Sequence, residues 1–217
     1  MVVESQPKIT VTTRTVDALR AKILNRELSP GQQVRQEDLA YQMGVSRGPL
    51  REALRTLESE GLLRHSANQG YFVASLHRSE LEQIYLMRRL LETEVLRRLP
   101  PLDGAAIAQL RAANDEVAAA VELANVAQIL ITNREFHFLM FRLAGLDVIV
   151  QQIEKLWYLS EAYRAAYLGS PETRVRVVRD HTVMIEALER RDLDSLIDVA
   201  DRHRAAAETE IISVLFS

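Results

Sequence analysis

The sequence predicts a mainly α fold: an N-terminal winged helix-turn-helix followed by a C-terminal all-helical bundle of about six helices. Three observations carry this reading. Between Thr12 and Ala74, three short amphipathic helices lead into two apolar runs joined by a polar, Gly-bearing loop. From Ser79 onward, apolar residues recur at helical spacing and no strand pattern survives. Breakers and caps such as Pro100-Pro101, Gly145 and Pro171 cut that second stretch into separate helices.

The first helix is expected over Thr13–Glu27, with Val16, Leu19, Ile23 and Leu24 on one face. Ser29-Pro30-Gly31 stops it, because proline cannot continue a helix and glycine supplies the turn. A short second helix, Gln36–Met43, buries Leu39, Ala40 and Met43, and Gly44 caps its C-terminus. Ser46 caps the third helix, Ser46–Glu58, with Pro49 in the first turn, where a missing N–H costs nothing. Gly61 ends it. Leu62–His65 and Tyr71–Ala74 then read as a two-stranded wing with Gly70 at its tip. A short linker, Ser75–Arg78, separates a domain over 1–75 from one over 79–217. In the second domain Ser79 and Glu82 form a capping box. Asp103, Asn125, Ser170 and Asp192 read as later N-caps, and Gly145 and Gly169 as C-terminal caps. The helices are expected over 79–99, 103–123, 126–144, 146–168, 171–190 and 192–215.

The composition, 47% hydrophobic and 26% charged, is that of a folded globular chain. With no cysteine, a disulfide framework and thiolate chemistry are excluded. No apolar run is long enough to span a bilayer, Met1–Thr13 carries no signal-peptide core, and a cytoplasmic protein is expected. Net charge is −3, but it is unevenly spread. Up to His77 there are ten Lys and Arg against eight Asp and Glu; from Arg78 onward, seventeen against twenty-two. A small basic module joined to a larger acidic one suits a regulator with a separate sensor.

The third helix carries the sharpest signal. Leu50, Ala53, Leu54 and Leu57 form its buried stripe, and Arg47, Arg51 and Arg55 form a second, adjacent stripe. A helix so built fits the major groove of B-DNA, where arginine pairs bidentately with guanine. Ser46 and the free N–H groups of the first turn can hold a phosphate. The competing reading is a solvated charged face, since Glu52 and Glu58 share the helix. The run Leu39-Ala40, then Gly44–Glu58, then Glu60-Gly61-Leu62 resembles the signature of GntR-type regulators. The resemblance implies principal DNA contacts from Arg47 and Arg51 and a phosphate or base contact from Arg35. Gly48 departs from the usual Thr or Ser and leaves only its backbone N–H for a phosphate. Gly70 would let the wing backbone approach the minor groove.

Asn133 and His137 lie four apart on one expected helix, with His181 and His203 in the middle of two others. Three histidines and an amide oxygen converging in a bundle would make a divalent metal site, for which Zn²⁺ or Ni²⁺ suits neutral imidazole. Lone histidines of this kind are more often satisfied core or surface residues. Tyr85, Arg88, Glu92, Asn133, Phe136-His137, His181, Ile185, Ala187-Leu188 and His203 resemble, in order, the metal-binding FCD domain of the fatty-acid-regulator branch of GntR proteins. That resemblance implies a metal held by Asn133, His137, His181 and His203, with a small carboxylate effector completing the coordination. Asn133 stands where Asp is more usual, which leaves the site one negative charge short. Arg88 is the expected partner of the carboxylate, against an i,i+4 surface pair with Glu92 and against the neighbouring Arg89. Trp157, Tyr158, Tyr163 and Tyr167 read as core or dimer packing.

The expectation is therefore a homodimeric transcription repressor that binds a pseudo-palindromic operator in double-stranded DNA and is released by a small organic acid. It is not expected to be an enzyme, to have catalytic residues or to bind a membrane. The alternatives are a regulator with a purely structural metal and a metal-dependent hydrolase.

Overall fold

The structure is a computed structural model that describes residues 10–24, 27–168 and 170–215, without the side chains of residues 24, 162, 165 and 166. The chain divides between Ser75 and Leu76 into two compact units.

The first unit runs α1 (Val11–Leu24), β1 (Gln33–Val34), α2 (Gln36–Met43), α3 (Arg47–Ser59), β2 (Leu63–Ser66) and β3 (Gly70–Val73). Its core is the apolar stripe of α3. Leu50, Ala53, Leu54 and Leu57 are all buried, packed on the α1 face that carries Val16, Leu19 and Ile23. Each such leucine contributes roughly 1.5–3 kcal/mol through burial. Gly44 caps α2 in the left-handed conformation that favours glycine, with φ +63°. The first helix begins at Val11, earlier than expected. Glu27 lies beyond it, and the expected contact of the Leu24 side chain lies outside the described residues.

The wing departs from expectation twice. It has three strands in the order β1-β3-β2, all antiparallel, because Gln33 and Val34 pair with Phe72 and Tyr71. Two residues carry no alternation, so this strand leaves no sequence signal. Gly70 is not the tip. It opens β3 opposite Ser66, and the tip is residues 67–69, with Asn68 at φ +66°. Gly70 itself stands at φ +85°, which a side chain would strain even though there is space for one.

The second unit runs α4 (Arg78–Arg97), α5 (Gly104–Glu122), α6 (Val126–Arg142), α7 (Asp147–Tyr167), α8 (Pro171–Glu189) and α9 (Leu193–Leu215). Asp103, Asn125, Ser170 and Asp192 each accept a backbone N–H three residues on, as N-caps do. The start of α4 differs. His77 is the N-cap and the Glu80 carboxylate accepts its backbone N–H at 2.7 Å, so the box lies two residues upstream of Ser79 and Glu82. Gly145 turns the chain after α6 at φ +66°. The expected cap at Gly169 lies outside the described residues. Helices α4, α6, α7, α8 and α9 surround one interior, with α5 packed outside α6 and α8. No described helix is long and apolar enough to cross a membrane.

Candidate functional site

The first unit presents a polar surface on α3. Arg47, Gly48, Arg51 and Arg55 are exposed while the leucine stripe is buried, so the two stripes of the sequence occupy different faces. Ser46 is the N-cap, and its hydroxyl makes no capping bond. Arg35 is the exposed N-cap of α2. Arg47 is held by Glu37 at 2.7 Å, an ion pair in full solvent worth about 0–1 kcal/mol. Arg55 sits 3.4 Å from Glu52 on its own helix. Arg51 has no ion-pair partner among the described residues. Arg64, exposed on the wing strand beside Phe72, is a further cation that the sequence reading missed. Its signal is the alternation of Leu63 and Arg64 across the strand.

The second unit brings His137 of α6, His181 of α8 and His203 of α9 together, with one ring nitrogen of each inside a 4.8 Å cluster. Two of the tautomers follow from their neighbours. Asn114 donates its amide hydrogens to the Val178 carbonyl and the Thr182 hydroxyl, so its Oδ1 faces His181 Nδ1 at 3.0 Å. That nitrogen therefore carries the proton, and Nε2 turns a lone pair inward. Asp180 accepts from His203 Nδ1 at 3.2 Å and does the same for that ring. His181 Nε2 then lies 3.2 Å from His137 Nε2. Two nitrogens bound to one ion at roughly 2.0–2.1 Å stand roughly 2.9–3.4 Å apart in tetrahedral or octahedral geometry, so the spacing suits a shared ion. Burial pushes all three imidazoles below their usual range, and for His137 the neighbouring His181 and His203 add to it, whereas Asp180 opposes it at His203. The rings are thus neutral donors at pH 7. Asn133 lines the same cavity, 3% exposed, and its Oδ1 has no hydrogen-bond partner among the described residues. A buried orphaned carbonyl in the cavity that His137 and His203 also line fits a divalent cation.

Beside the histidines lies a buried charge network. Glu92 accepts from Arg88 Nε at 2.8 Å, Trp157 Nε1 at 2.7 Å and Arg204 Nε at 2.8 Å. Burial alone would raise the Glu92 carboxyl, but Arg88 and Arg204 overcome it and hold it at about 2. The Arg88–Glu92 pair forms as the i,i+4 spacing allows, yet it is 3–4% exposed and not a surface pair. Arg88 lines the cavity, and Arg89 is exposed. Trp157 and Tyr167 line the cavity too, correcting their assignment to packing alone; Tyr163 instead accepts the Leu76 backbone N–H. Arg164, Arg204, Asn114 and Asp180 were missed by sequence reasoning. The cavity offers about 20 Å³ of water-accessible volume, room for roughly one water-sized group.

Residues 83–206 match the FCD domain and residues 11–73 match the bacterial regulatory proteins, gntR family. The Nta operon transcriptional regulator of Aminobacter aminovorans is 32% identical over 146 residues, covering 63% of this chain and 64% of that protein. The match thus spans under two thirds of that relative's length. The HTH-type transcriptional regulator McbR of Escherichia coli is 26% identical over 196 residues, 85% of each chain. The solved structure of E. coli McbR superposes with a TM-score of 0.75 at 24% identity, covering 95% of this chain and 97% of that one, which establishes the fold.

Proposed function

This chain belongs to the FCD-domain branch of the gntR family of bacterial regulatory proteins, and from that premise we propose that it is a DNA-binding transcription regulator, a repressor released by a small carboxylate at a metal site in its helical unit. The observation that carries the sensor half is the clustering of three neutral imidazoles, those of His181 and His203 pre-oriented by Asn114 and Asp180, in the unit whose cavity also holds the orphaned Asn133 carbonyl. His137, His181, His203 and Asn133 would hold the ion, Zn²⁺ or Ni²⁺, and the ion would supply a Lewis-acidic seat for an anion. Arg88, the cation that the sequence pairs with the carboxylate, lines the same cavity, but its Nε is engaged by Glu92. The protein acts as a cytoplasmic homodimer, whose two recognition helices meet successive major grooves of a pseudo-palindromic site about 34–36 Å apart. Effector binding releases DNA by favouring a conformation with lower DNA affinity.

Arg47 and Arg51 read bases, Arg35, Ser46 and the Gly48 amide hold phosphates, and the wing backbone at Gly70 approaches the minor groove. Arg51→Ala should weaken binding to a site selected from random DNA by about 1–3 kcal/mol and relax its base preference, while Lys22→Ala leaves both unchanged. Fluorescence anisotropy reads both, and equal binding by Arg51→Ala and wild type would refute the assignment. At the metal, Asn133→Asp restores a negative charge. It should tighten zinc on the order of 10-fold, measured by competition with a chromogenic chelator.

A hydrolase is disfavoured by the family and by Glu92. That carboxylate has both oxygens engaged by arginines and indole, and a pKa of about 2 makes it a poor base.

A further inference from the structure

Arg88 and Arg204 are already answered by Glu92, and Arg204 also bonds Asp201 at 2.6 Å. Arg164 is not answered in that way. It is 5% exposed, lines the cavity, and its Nη1 has no hydrogen-bond partner among the described residues. Its guanidinium is parked 4.0 Å from the Trp157 ring, which Arg88 also approaches at 4.3 Å. Stacking fixes where the cation sits but leaves N–H donors unused. Tyr85, 1% exposed and lining the same cavity, likewise has a buried hydroxyl without a hydrogen-bond partner among the described residues. Two orphaned buried donors facing one small cavity are costly unless an acceptor enters.

We propose that Arg164 and Tyr85, rather than Arg88, form the anion clamp of this cavity, and that its ligand is a carboxylate of one or two carbons. The inference rests on the regulator reading above and specifies its effector. A carboxylate offers two acceptor oxygens. One accepts from Arg164 and Tyr85, and the other faces the histidine cluster across the cavity. The small volume excludes a bulky acid in this conformation. The neutral Asn133 makes an anion at the metal more favourable than an Asp there would.

Trp157 is the only tryptophan of the chain and lies against Arg164, so its emission reports on the clamp. Formate and acetate are titrated into the full-length protein, zinc-free and zinc-loaded, with Trp157 emission as the signal. Wild type should give a saturable change. Arg164→Gln should weaken the half-saturation at least 10-fold, with zinc stoichiometry unchanged. Tyr85→Phe removes a hydroxyl that makes no bond in the free protein, so it folds as wild type and should weaken the anion about 5-fold. Wild-type binding in both variants, or no saturable response of wild type to either acid, overturns the clamp. Failure of wild type to take up zinc would instead refute the metal site, while the zinc-free titration still reads the clamp.

Discussion

Glu92→Gln is expected to destabilise the protein by about 3–5 kcal/mol at pH 7, lowering the melting temperature by roughly 10 °C. The cause is charge left behind. Arg88 and Arg204 converge on this one carboxylate, all three being 3–5% exposed, and Arg164 lies close by. A neutral amide accepts hydrogen bonds but cannot balance two buried guanidinium groups. The pH dependence has a definite sign. The folded carboxyl is held at about 2, below its ordinary 4.5. The ionised pair therefore stabilises the fold fully above about pH 4.5, and that contribution fades as the pH falls from about 4.5 toward 2. Urea denaturation of wild type and Glu92→Gln should show the largest difference near neutrality and a shrinking one through that window. A constant difference from pH 7 to pH 3 would contradict the electrostatic account.

His181→Ala is expected to abolish metal uptake, taking the zinc content after desalting from one ion per chain to near none. His181 is fully buried, with its Nε2 in the cluster and its ring stacked 3.9 Å from Phe136. The substitution also opens a void, so part of any destabilisation, about 2–4 kcal/mol, belongs to packing. Asn114→Ala separates the two effects, because it removes the tautomer lock on His181 without touching a ligand. It should weaken zinc about 10–100-fold while retaining the site. Unchanged zinc in His181→Ala, read by inductively coupled plasma mass spectrometry, would remove the metal centre from the account. Chelation of wild type distinguishes a sensing metal from a structural one: a folded apoprotein that no longer responds to carboxylate indicates sensing.

The helices were legible because their caps and stripes are local. Ser46, Asp103, Asn125, Ser170 and Asp192 mark helix starts in the chain itself. The histidine set was legible through the resemblance to the FCD domain; the spacing of Asn133 and His137 on one helix face was a partial signal that left out His181 and His203. The charge network was misjudged for a traceable reason. Arg88 and Glu92 occupy the stripe of Leu81, Ile84, Tyr85, Val95 and Leu96, and Arg204 follows His203 on the stripe of Leu196, Val199, Ala207 and Ile211. Charges at such positions are buried partners, and the stripe should have outweighed the i,i+4 spacing that suggested a surface pair. Asn114 sits in line with Ile107, Leu110 and Val117 and carried the same signal. No pattern within one helix shows that Asp180 faces His203, because that contact depends on how α8 and α9 pack.

The most direct test of the central claim is DNA affinity measured as a function of the sensor's ligands. Anisotropy on a site selected from random DNA is recorded for zinc-loaded wild type and Arg164→Gln, each with and without acetate. Acetate should weaken wild-type binding 10-fold or more, a coupling of about 1.4 kcal/mol, and leave Arg164→Gln unmoved. Equal DNA affinity in all four conditions would contradict that claim.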